Sequence, residues 1–215
     1  MRYDLVIFDW DGTLMNSEAR IVSSIQYAAD VCGLPVLPYD DSKQIIGLSL
    51  DKAITALYPT IEPGLVAVVS KVYTQHFLEE SKVPMQPYVG ALGMLQELFV
   101  SGVKLAVATG KSRRGLDAVL AQTGYASYFH ITRTPVESAS KPDPLMLHQI
   151  LDKLAVDLSR AVMVGDTTFD MQMAKSIGMD RVALSHGVHD LTQLMPFDPV
   201  ATFNDLTSLH KWLLS

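Results

Sequence analysis

Near the start of the chain, an apolar run stops at two aspartates that are separated by a single residue. The run is Leu5–Phe8, the acids are Asp9 and Asp11, and Gly12 and Thr13 follow directly. A short apolar run of this kind is typical of a strand buried on both faces of a parallel sheet. Ligands of open α/β sheets bind just beyond the carboxyl ends of such strands, where both aspartates fall. The pattern favours a functional site, although acids in a surface turn before glycine would look the same.

Three further segments place polar residues at the ends of predicted strands or just ahead of a helix. Residues 103–108 lead into Thr109, Gly110 and Lys111; residues 161–165 lead into Asp166 and Asp170; and Lys141 stands in the segment 140–144 before a helical pattern. The carboxyl ends of parallel strands lie along one edge of a sheet, so these side chains are expected to meet there. Carboxylates with a threonine and a lysine suit magnesium and a phosphate group.

In their order and spacing, the four segments resemble the signatures of the haloacid dehalogenase-like hydrolase superfamily. The matching residues are Asp9-Trp10-Asp11-Gly12-Thr13, Thr109-Gly110, Lys141-Pro142, and Gly165-Asp166 with Asp170. The resemblance covers essentially the whole chain and is greatest for the phosphoglycolate-phosphatase-like branch, which has a helical cap inserted after the first signature. It implies an α/β fold with a three-layered, Rossmann-like parallel sheet, strand order 5-4-1-2-3, and an inserted α-helical cap domain.

The hydrophobic pattern divides the chain in a way that suits such an insertion. Strands are predicted for the run that ends at Asp9 and for residues 103–108, 129–132, 161–164 and 181–184, with helices between them. This alternation implies right-handed crossovers and a parallel sheet. The segment from about residue 16 to residue 82 instead has helical patterns and few strand-like runs. We therefore expect a Rossmann-like catalytic core formed by residues 1–15 and 84–215, and a helical cap domain formed by residues 16–83.

Composition and charge narrow the classes of partner. The chain has 215 residues and a formal net charge of −6, which argues against nucleic-acid binding because phosphate backbones require clustered Lys and Arg. The single cysteine, Cys32, cannot form an internal disulfide and favours the cytoplasm. No apolar segment is long enough to cross a bilayer, and the first apolar run is too short for a signal peptide. We expect a cytoplasmic protein, monomer or homodimer, that binds a small phosphorylated metabolite and neither nucleic acid nor membrane.

Two aspartates separated by one residue suit a two-step phosphoryl transfer. A carboxylate such as Asp9 can attack phosphorus and form an aspartyl-phosphate. Asp11 can first protonate the leaving alkoxide and then deprotonate the attacking water. A dehalogenase expels halide and needs no such acid, and that branch resembles this motif without the second aspartate. Asp11 therefore indicates phosphoryl transfer.

Magnesium is the expected cofactor, because a cation relieves the repulsion between the nucleophile and an anionic phosphate. Asp9 and Asp166 would supply carboxylate ligands, and the family pattern assigns the backbone carbonyl of Asp11 as a third ligand. Asp170 lies one helical turn after Asp166 and is expected to hold metal-bound water. The alternative for Asp166 and Asp170 is capping of a helix N-terminus.

Thr109, Gly110 and Lys141 are the candidates for holding the phosphate group. A hydroxyl and backbone N–H groups at a helix N-terminus suit phosphate oxygens, and a lysine supplies a positive charge. The alternatives are an ordinary N-cap for Thr109 and a solvated loop lysine for Lys141. Lys111 is a candidate substrate-binding residue, with a plain surface lysine as its alternative. A P-loop is excluded because Leu105 stands where that motif requires glycine.

The cap is expected to set specificity and to exclude water. In the resembling family this role belongs to a loop that here would be residues 46–49, including Gly47, and Arg20 is a candidate partner for a second anionic group. Lys52 and Tyr73 are further cap candidates. Such a site admits small phosphate monoesters, phosphoglycolate-like substrates among them.

Two other functions are compatible with this fold, and the first of them uses the same core residues. A phosphomutase of the β-phosphoglucomutase kind would transfer the aspartyl-phosphate to a second sugar hydroxyl, and only its cap contacts would differ. A catalytically retired binding or regulatory module would have the same fold, but would usually have lost one of Asp9, Asp11 or Asp166. The sequence therefore predicts a Mg²⁺-dependent phosphatase that acts through Asp9 and leaves these two alternatives open.

Overall fold

A parallel sheet with β1 at its centre organises the chain. In the computed structural model, which describes residues 2–215, the strands are β1 (Leu5–Phe8), β2 (Met15–Asn16), β3 (Gln86–Pro87), β4 (Lys104–Ala108), β5 (Ile131–Arg133), β6 (Ala161–Gly165), β7 (Asp180–Leu184) and β8 (Ala201–Phe203). The α-helices are α1 (Glu18–Val31), α2 (Tyr39–Lys43), α3 (Leu50–Leu57), α4 (Pro63–Gln75), α5 (Ala91–Val100), α6 (Arg113–Thr123), α7 (Leu145–Leu154), α8 (Thr168–Ser176), α9 (Leu191–Leu194) and α10 (Leu206–Leu214). A π-helical turn, His76–Glu80, continues α4.

The main sheet has six strands in the order β5-β4-β1-β6-β7-β8, and every neighbouring pair is parallel. The predicted order 5-4-1-2-3 corresponds to β7-β6-β1-β4-β5, so that prediction is confirmed. The edge strand β8 was not predicted, because Ala-Thr-Phe has no recognisable period and forms a strand only by pairing with β7. Strand β5 lies near the predicted segment 129–132, displaced toward its C-terminal end.

The apolar run of β1 is buried on both faces, as expected for a central parallel strand. Val6 and Phe8 belong to one core with helices α5, α6 and α10, while Leu5 and Ile7 belong to another with α7 and α8. This alternation follows the two-residue period of a strand. The result is the predicted three-layered arrangement, in which the carboxyl ends of β4, β1 and β6 lie side by side.

The helical segment from α1 to the π-helical turn lies between two short strands. β2 and β3 pair antiparallel, with Met15 opposite Pro87 and Asn16 opposite Gln86, so the two crossings of the chain lie side by side. The segment has a small core of its own, formed by Ile25, Ala28, Ile54 and Val69. The boundaries predicted for the cap, residues 16 and 83, remain a prediction.

None of the helices within residues 2–215 combines the length and the apolar character that a bilayer crossing requires.

Candidate active site

Asp9 lies where β1 ends, at the centre of the sheet edge. Its backbone N–H donates to the Val164 carbonyl at 2.9 Å, so the neighbouring strand holds it in place. Its Oδ1 accepts from the Trp10 N–H at 2.6 Å and lies 2.9 Å from Nζ of Lys141. Its Oδ2 is buried and has no hydrogen-bond partner among residues 2–215. A buried carboxylate oxygen of this kind is unfavourable unless a cation or a substrate supplies a partner.

Lys141 is fully buried, which contradicts the alternative of a solvated loop lysine. Its Nζ lies 2.9 Å from Oδ1 of Asp9 and 2.5 Å from Oδ1 of Asp170. Burial alone would lower the pKa of Lys141, but the carboxylates of Asp170 and Asp9 outweigh burial and raise that pKa. Lys141 therefore presents a permanent positive charge at the carboxyl edge of the sheet.

Asp166 follows β6 and is enclosed by glycines and hydrogen-bond donors. Its Oδ1 accepts from the Thr13 hydroxyl at 2.7 Å, and its Oδ2 accepts from the Val188 N–H at 2.9 Å. Gly12 and Gly187 approach the same carboxylate so closely that a Cβ on them would lie 2.1 Å and 2.2 Å from Oδ2. Both positions therefore require glycine if the Asp166 carboxylate is to stay in place.

Asp170, in the first turn of α8, has two partners, the N-cap residue Thr167 and Lys141. The Thr167 N–H donates to Asp170 Oδ2 at 3.1 Å and the Asp170 N–H donates to the Thr167 hydroxyl at 3.4 Å, which together form a capping box; the Thr167 hydroxyl also donates to Asp170 Oδ2 at 2.7 Å. Its Oδ1 pairs with Lys141. Helix capping, the alternative raised from the sequence, thus occurs at Asp170, while the N-cap itself is Thr167 and not Asp166.

Three buried carboxylates form the acidic cluster, which we define as Asp9, Asp166 and Asp170. One oxygen of each lies within 4.8 Å of the others. Burial, against the opposing charge of Lys141, raises the pKa of Asp9 to about 7. Burial and the charges of Asp9 and Asp170 hold the pKa of Asp166 well above its usual range. Carboxylate oxygens are the ligands that hard divalent cations prefer, and a cation would also provide the missing partner of Asp9 Oδ2. The acidic cluster therefore fits a divalent metal ion.

The carboxylate of Asp11 lies outside the acidic cluster and is held by two other groups. Its Oδ1 accepts from the Ser17 hydroxyl at 2.6 Å, and its Oδ2 lies 3.0 Å from Nζ of Lys111. Asp9 and Asp11 both line one cavity. The Asp11 carboxylate is thus held apart from the three clustered carboxylates, and its role in proton transfer and the ligation of a metal through its backbone carbonyl remain predictions.

Lys111 is enclosed within the molecule, which contradicts the alternative of a plain surface lysine. Its side chain is 7% exposed, and its Nζ lies 4.5 Å from the centre of the Phe77 ring. An ammonium group over an aromatic face is favourable. Phe77 belongs to the π-helical turn, so Lys111 joins the core of the molecule to the helical segment at the cavity.

Thr109 and Gly110 lie at the end of β4, next to Asp9. The Thr109 hydroxyl accepts from the Lys111 N–H at 3.2 Å. The N-cap of α6 is Ser112 and not Thr109, because the Ser112 hydroxyl accepts from the Gly115 N–H at 3.1 Å. Gly110 lies against the loop that precedes α3, where a Cβ would come within 2.4 Å of the Gly47 carbonyl oxygen. Thr109, Gly110, Lys111 and Gly47 all line the cavity.

Arg20 does not reach this cavity. Its Nε donates to the Val83 carbonyl at 2.7 Å, and its guanidinium lies 5.9 Å from the centre of the Phe77 ring. Arg20, on α1, thus binds the Val83 carbonyl at the crossing between the helical segment and the core, and does not line the cavity as the predicted role requires. Lys52 is exposed on α3 and is also absent from the lining, whereas Tyr73 is part of it.

Two buried hydroxyls of the site were missed in the sequence. Thr13 donates to Asp166, and Ser17 donates to Asp11. The position of Thr13 inside the first signature could have indicated a role in the site. Its partner Asp166 could not be identified from the sequence, because it lies 153 residues away along the chain. Nothing in the sequence pattern distinguishes Ser17 from any serine that begins a helix.

Comparison with known proteins identifies the family of this chain. The sequence model of the haloacid dehalogenase-like hydrolases matches residues 6–184. This chain belongs to that family, and the predicted resemblance is confirmed.

Named relatives cover nearly the whole chain. A probable phosphatase, IndB, of Dickeya dadantii is 33% identical over 98% of this chain and 94% of its own length. A phosphoglycolate phosphatase of Agrobacterium fabrum is 28% identical over 95% of this chain and 90% of its own length. The crystal structure of a hydrolase from Pseudomonas syringae superposes with a TM-score of 0.89 at 23% identity, covering 98% of this chain and 97% of that one, and shows the same fold. The family and these relatives confirm the prediction of an enzyme of the phosphatase kind.

Proposed function

We propose that this chain is a Mg²⁺-dependent phosphatase that hydrolyses small phosphate monoesters through an aspartyl-phosphate on Asp9. The observation that carries the proposal is the environment of Asp9. It is a buried carboxylate with one unpartnered oxygen, beside a buried lysine and two further carboxylates, and it lines a cavity. Mg²⁺ held by the carboxylates of Asp9 and Asp166 and the backbone carbonyl of Asp11, with Asp170 holding metal-bound water, would neutralise the repulsion between the nucleophile and the phosphate.

In the first step, a carboxylate oxygen of Asp9 attacks phosphorus and the bond from phosphorus to the alcohol oxygen breaks. Asp11 donates a proton to the departing oxygen, so that a neutral alcohol leaves. In the second step, water attacks the phosphorus of the aspartyl-phosphate while Asp11 accepts the proton of that water. Inorganic phosphate leaves and the carboxylate of Asp9 is restored. The bonds from Ser17 and Lys111 hold Asp11 in one place for both steps.

The remaining residues of the sheet edge would bind the phosphoryl group. Lys141 supplies a fixed positive charge where negative charge develops, in a site from which water is excluded. The Thr109 hydroxyl and the backbone N–H of Gly110, between β4 and α6, supply hydrogen-bond donors. These roles are proposals that rest on the position of each group beside Asp9.

Residues 16–83 are proposed to act as a cap that opens for substrate and closes for catalysis. In the structure this segment lies over the site, with Gly47 against Gly110 and Phe77 against Lys111. The paired strands β2 and β3 contain the proposed hinges. A small phosphorylated metabolite as substrate, a monomer or homodimer, and a cytoplasmic location remain parts of the proposal.

The test is phosphate release from a panel of small phosphate monoesters, phosphoglycolate included, with and without Mg²⁺. We expect Mg²⁺-dependent release, and we expect Asp9→Asn to reduce it by roughly 10³-fold or more because the amide is a poor nucleophile. Asp152→Asn, an exposed position on α7, is the matched control and should keep full activity. Acid quenching should trap phosphate on the wild type and not on Asp9→Asn.

Two results would contradict this function. An Asp9→Asn enzyme with wild-type turnover would exclude the covalent step. Phosphate that moves from one sugar hydroxyl to another without release into solution would indicate a phosphomutase instead.

A further inference from the structure

The cavity above Asp9 has two halves of opposite chemical character. The core of the protein supplies the polar half, which consists of Asp9, Asp11, Thr109, Gly110, Lys111, Ser112 and Gly115. Residues 16–83 supply the other half, which consists of Ile21, Ile25, Ile45, Ile46, Gly47, Leu48, Leu50, Ala53, Tyr73, Thr74, Phe77 and Leu78. We call the second set the cap lining. It contains no charged side chain. Ten of its twelve members are aliphatic or aromatic, and the other two are Gly47 and Thr74.

Cations at or beside this cavity are already paired, among them Lys141, which lies between Asp9 and Asp170. Lys111 lies 3.0 Å from the Asp11 carboxylate, and the Nε of Arg20 donates to the Val83 carbonyl outside the lining. Arg114 lies 2.8 Å from Glu79 in an exposed ion pair and is not part of the lining either. A carboxylate or a second phosphate that entered the cap lining would therefore be buried without a counter-ion.

Polar groups in the cap lining are also few. The Thr74 hydroxyl donates to the Ser70 carbonyl at 2.8 Å, within its own helix. The Tyr73 hydroxyl has no hydrogen-bond partner within residues 2–215. Burial, and to a smaller extent the negative charge of Asp11, raises the pKa of Tyr73, so its hydroxyl can donate a hydrogen bond. The cap lining thus offers one hydroxyl to a substrate, whereas a sugar carries several that would each lose their hydrogen bonds with water.

We propose that the substrate is the phosphate monoester of an apolar alcohol, with a branched aliphatic or aromatic group that fills the cap lining. This inference rests on the proposed phosphatase function and specifies its substrate class. Burial of an unpaired charge is strongly unfavourable, while burial of each additional methylene is favourable. The cap lining therefore selects against phosphoglycolate and sugar phosphates, and selects for esters whose alcohol has no charge.

Binding of two matched phosphonates, measured by calorimetry in the presence of Mg²⁺, tests the proposal without turnover. The first is 3-phosphonopropionate, which has the shape of phosphoglycolate. The second is 3-methylbutylphosphonate, in which an isopropyl group replaces the carboxylate. We expect the second to bind at least tenfold more tightly, and affinity in an unbranched alkylphosphonate series to rise roughly three- to fourfold per methylene. Tighter binding of 3-phosphonopropionate, or no binding of 3-methylbutylphosphonate, would overturn the proposal.

A variant that adds a cation to the cap lining provides the second test. Leu50→Arg places a guanidinium in the lining at the start of α3, and should reduce the preference for the apolar phosphonate by at least tenfold. Ala56→Arg adds the same charge at an exposed position of the same helix, and should leave the preference within twofold of the wild type. Equal changes in both variants would contradict a role for the cap lining, and thermal unfolding of each variant verifies that it is folded.

Turnover separates a failure of this inference from a failure of the phosphatase function. Isobutyl phosphate and phosphoglycolate differ by the same replacement of carboxylate by isopropyl, and we expect a kcat/KM at least tenfold higher for isobutyl phosphate. Rapid hydrolysis of phosphoglycolate with poor hydrolysis of isobutyl phosphate would retain the phosphatase and overturn the substrate class. If neither ester is hydrolysed but the phosphonate preference holds, the apolar site stands and the proposed phosphatase function fails.

Discussion

The Nζ of Lys141 lies 2.9 Å from Oδ1 of Asp9, and both side chains are shielded from solvent. The same ammonium lies 2.5 Å from Oδ1 of Asp170, so one positive charge serves two of the three carboxylates in the acidic cluster. Removal of one partner from a buried ion pair leaves the other charge uncompensated. Lys141 is therefore required for the stability of the site before any substrate binds.

Replacement of Lys141 should separate its structural role from its catalytic one. We expect Lys141→Met to destabilise the metal-free protein by roughly 3–5 kcal/mol. Added Mg²⁺ should restore part of this stability, because it supplies positive charge to the same carboxylates. It should not restore turnover, which we expect to fall by about 10²-fold or more because the developing phosphoryl charge loses its partner.

Thermal unfolding and kcat, each measured with and without Mg²⁺, check this prediction. Lys153→Met, at an exposed position of α7, is the matched control and should change neither quantity appreciably. A Lys141→Met enzyme with wild-type kcat in Mg²⁺ would show that the lysine only neutralises charge.

The acidic cluster should couple metal binding to pH. Burial raises the pKa of Asp9 to about 7 from an ordinary value of 3.8, so the folded, metal-free protein holds this proton more tightly than the unfolded chain does. The contribution of Asp9 to stability is therefore fully present below about pH 4 and is lost as pH rises through about 7. Mg²⁺ binds the ionised carboxylate, so the stabilisation by a fixed Mg²⁺ concentration should be larger at pH 8 than at pH 5.5, by an amount on the order of 1–3 kcal/mol.

Calorimetric titration with Mg²⁺ at pH 6, in two buffers of different ionisation enthalpy, would measure the protons released on binding. We expect a net release, and a smaller one from Asp9→Asn. An equal shift in melting temperature at pH 5.5 and pH 8 would contradict this coupling.

Gly187 should be required for the position of Asp166. A Cβ at residue 187 would lie 2.2 Å from the Asp166 Oδ2, so Gly187→Ala must displace that carboxylate. We expect Mg²⁺ affinity to fall by about 10- to 100-fold, as for other changes to groups that position metal ligands. Gly93→Ala is the matched control, because residue 93 lies within α5 and a Cβ there meets nothing within 4 Å.

Calorimetric Mg²⁺ titration of both variants measures this effect. Gly93→Ala should bind Mg²⁺ as the wild type does and gain up to about 1 kcal/mol of stability, because alanine favours a helix interior. Unchanged Mg²⁺ affinity in Gly187→Ala would show that Asp166 is not a ligand or that its position tolerates displacement.

The sequence predicts which strand ends carry the acidic residues better than it predicts which side chains form hydrogen bonds with those acids. The run that ends at Asp9 and the segments at Thr109 and Asp166 predict three adjacent strand ends, because strand order and chain direction follow from alternating helices and strands. That reasoning locates carboxylates along an edge. It cannot state which hydroxyls reach them, since the bond between Thr13 and Asp166 depends on how two loops pack.

Charged side chains with several rotatable bonds were the least predictable part of the site. Arg20 and Lys111 both had a plausible path to the cavity, yet only Lys111 reaches it. Arg20 donates a hydrogen bond to the Val83 carbonyl. Lys111 forms an ion pair with Asp11 and lies over the Phe77 ring. Neither partner is near in sequence, so the outcome depends on the packing of the helical segment against the core.

One hydrogen bond joins the helical segment to the loop that carries Lys141. The Ser49 backbone N–H, at the start of α3, donates to the Ser140 hydroxyl at 2.9 Å. Ser140→Ala removes this acceptor, and the loss of one such bond is worth about 1 kcal/mol, or roughly fivefold in an opening equilibrium. Because closure over the bound substrate is proposed to precede the chemical step, kcat/KM should fall, by up to about fivefold.

The exposed ion pair between Arg114 and Glu79 crosses between the same two parts and serves as the comparison. An exposed pair contributes little, so Arg114→Ala should reduce kcat/KM by no more than about twofold. Hydrogen exchange at the amides of α3 should accelerate in Ser140→Ala and stay near the wild-type rate in Arg114→Ala. Similar effects of the two variants on kcat/KM would show that closure depends on overall charge and not on the bond from Ser49 to Ser140.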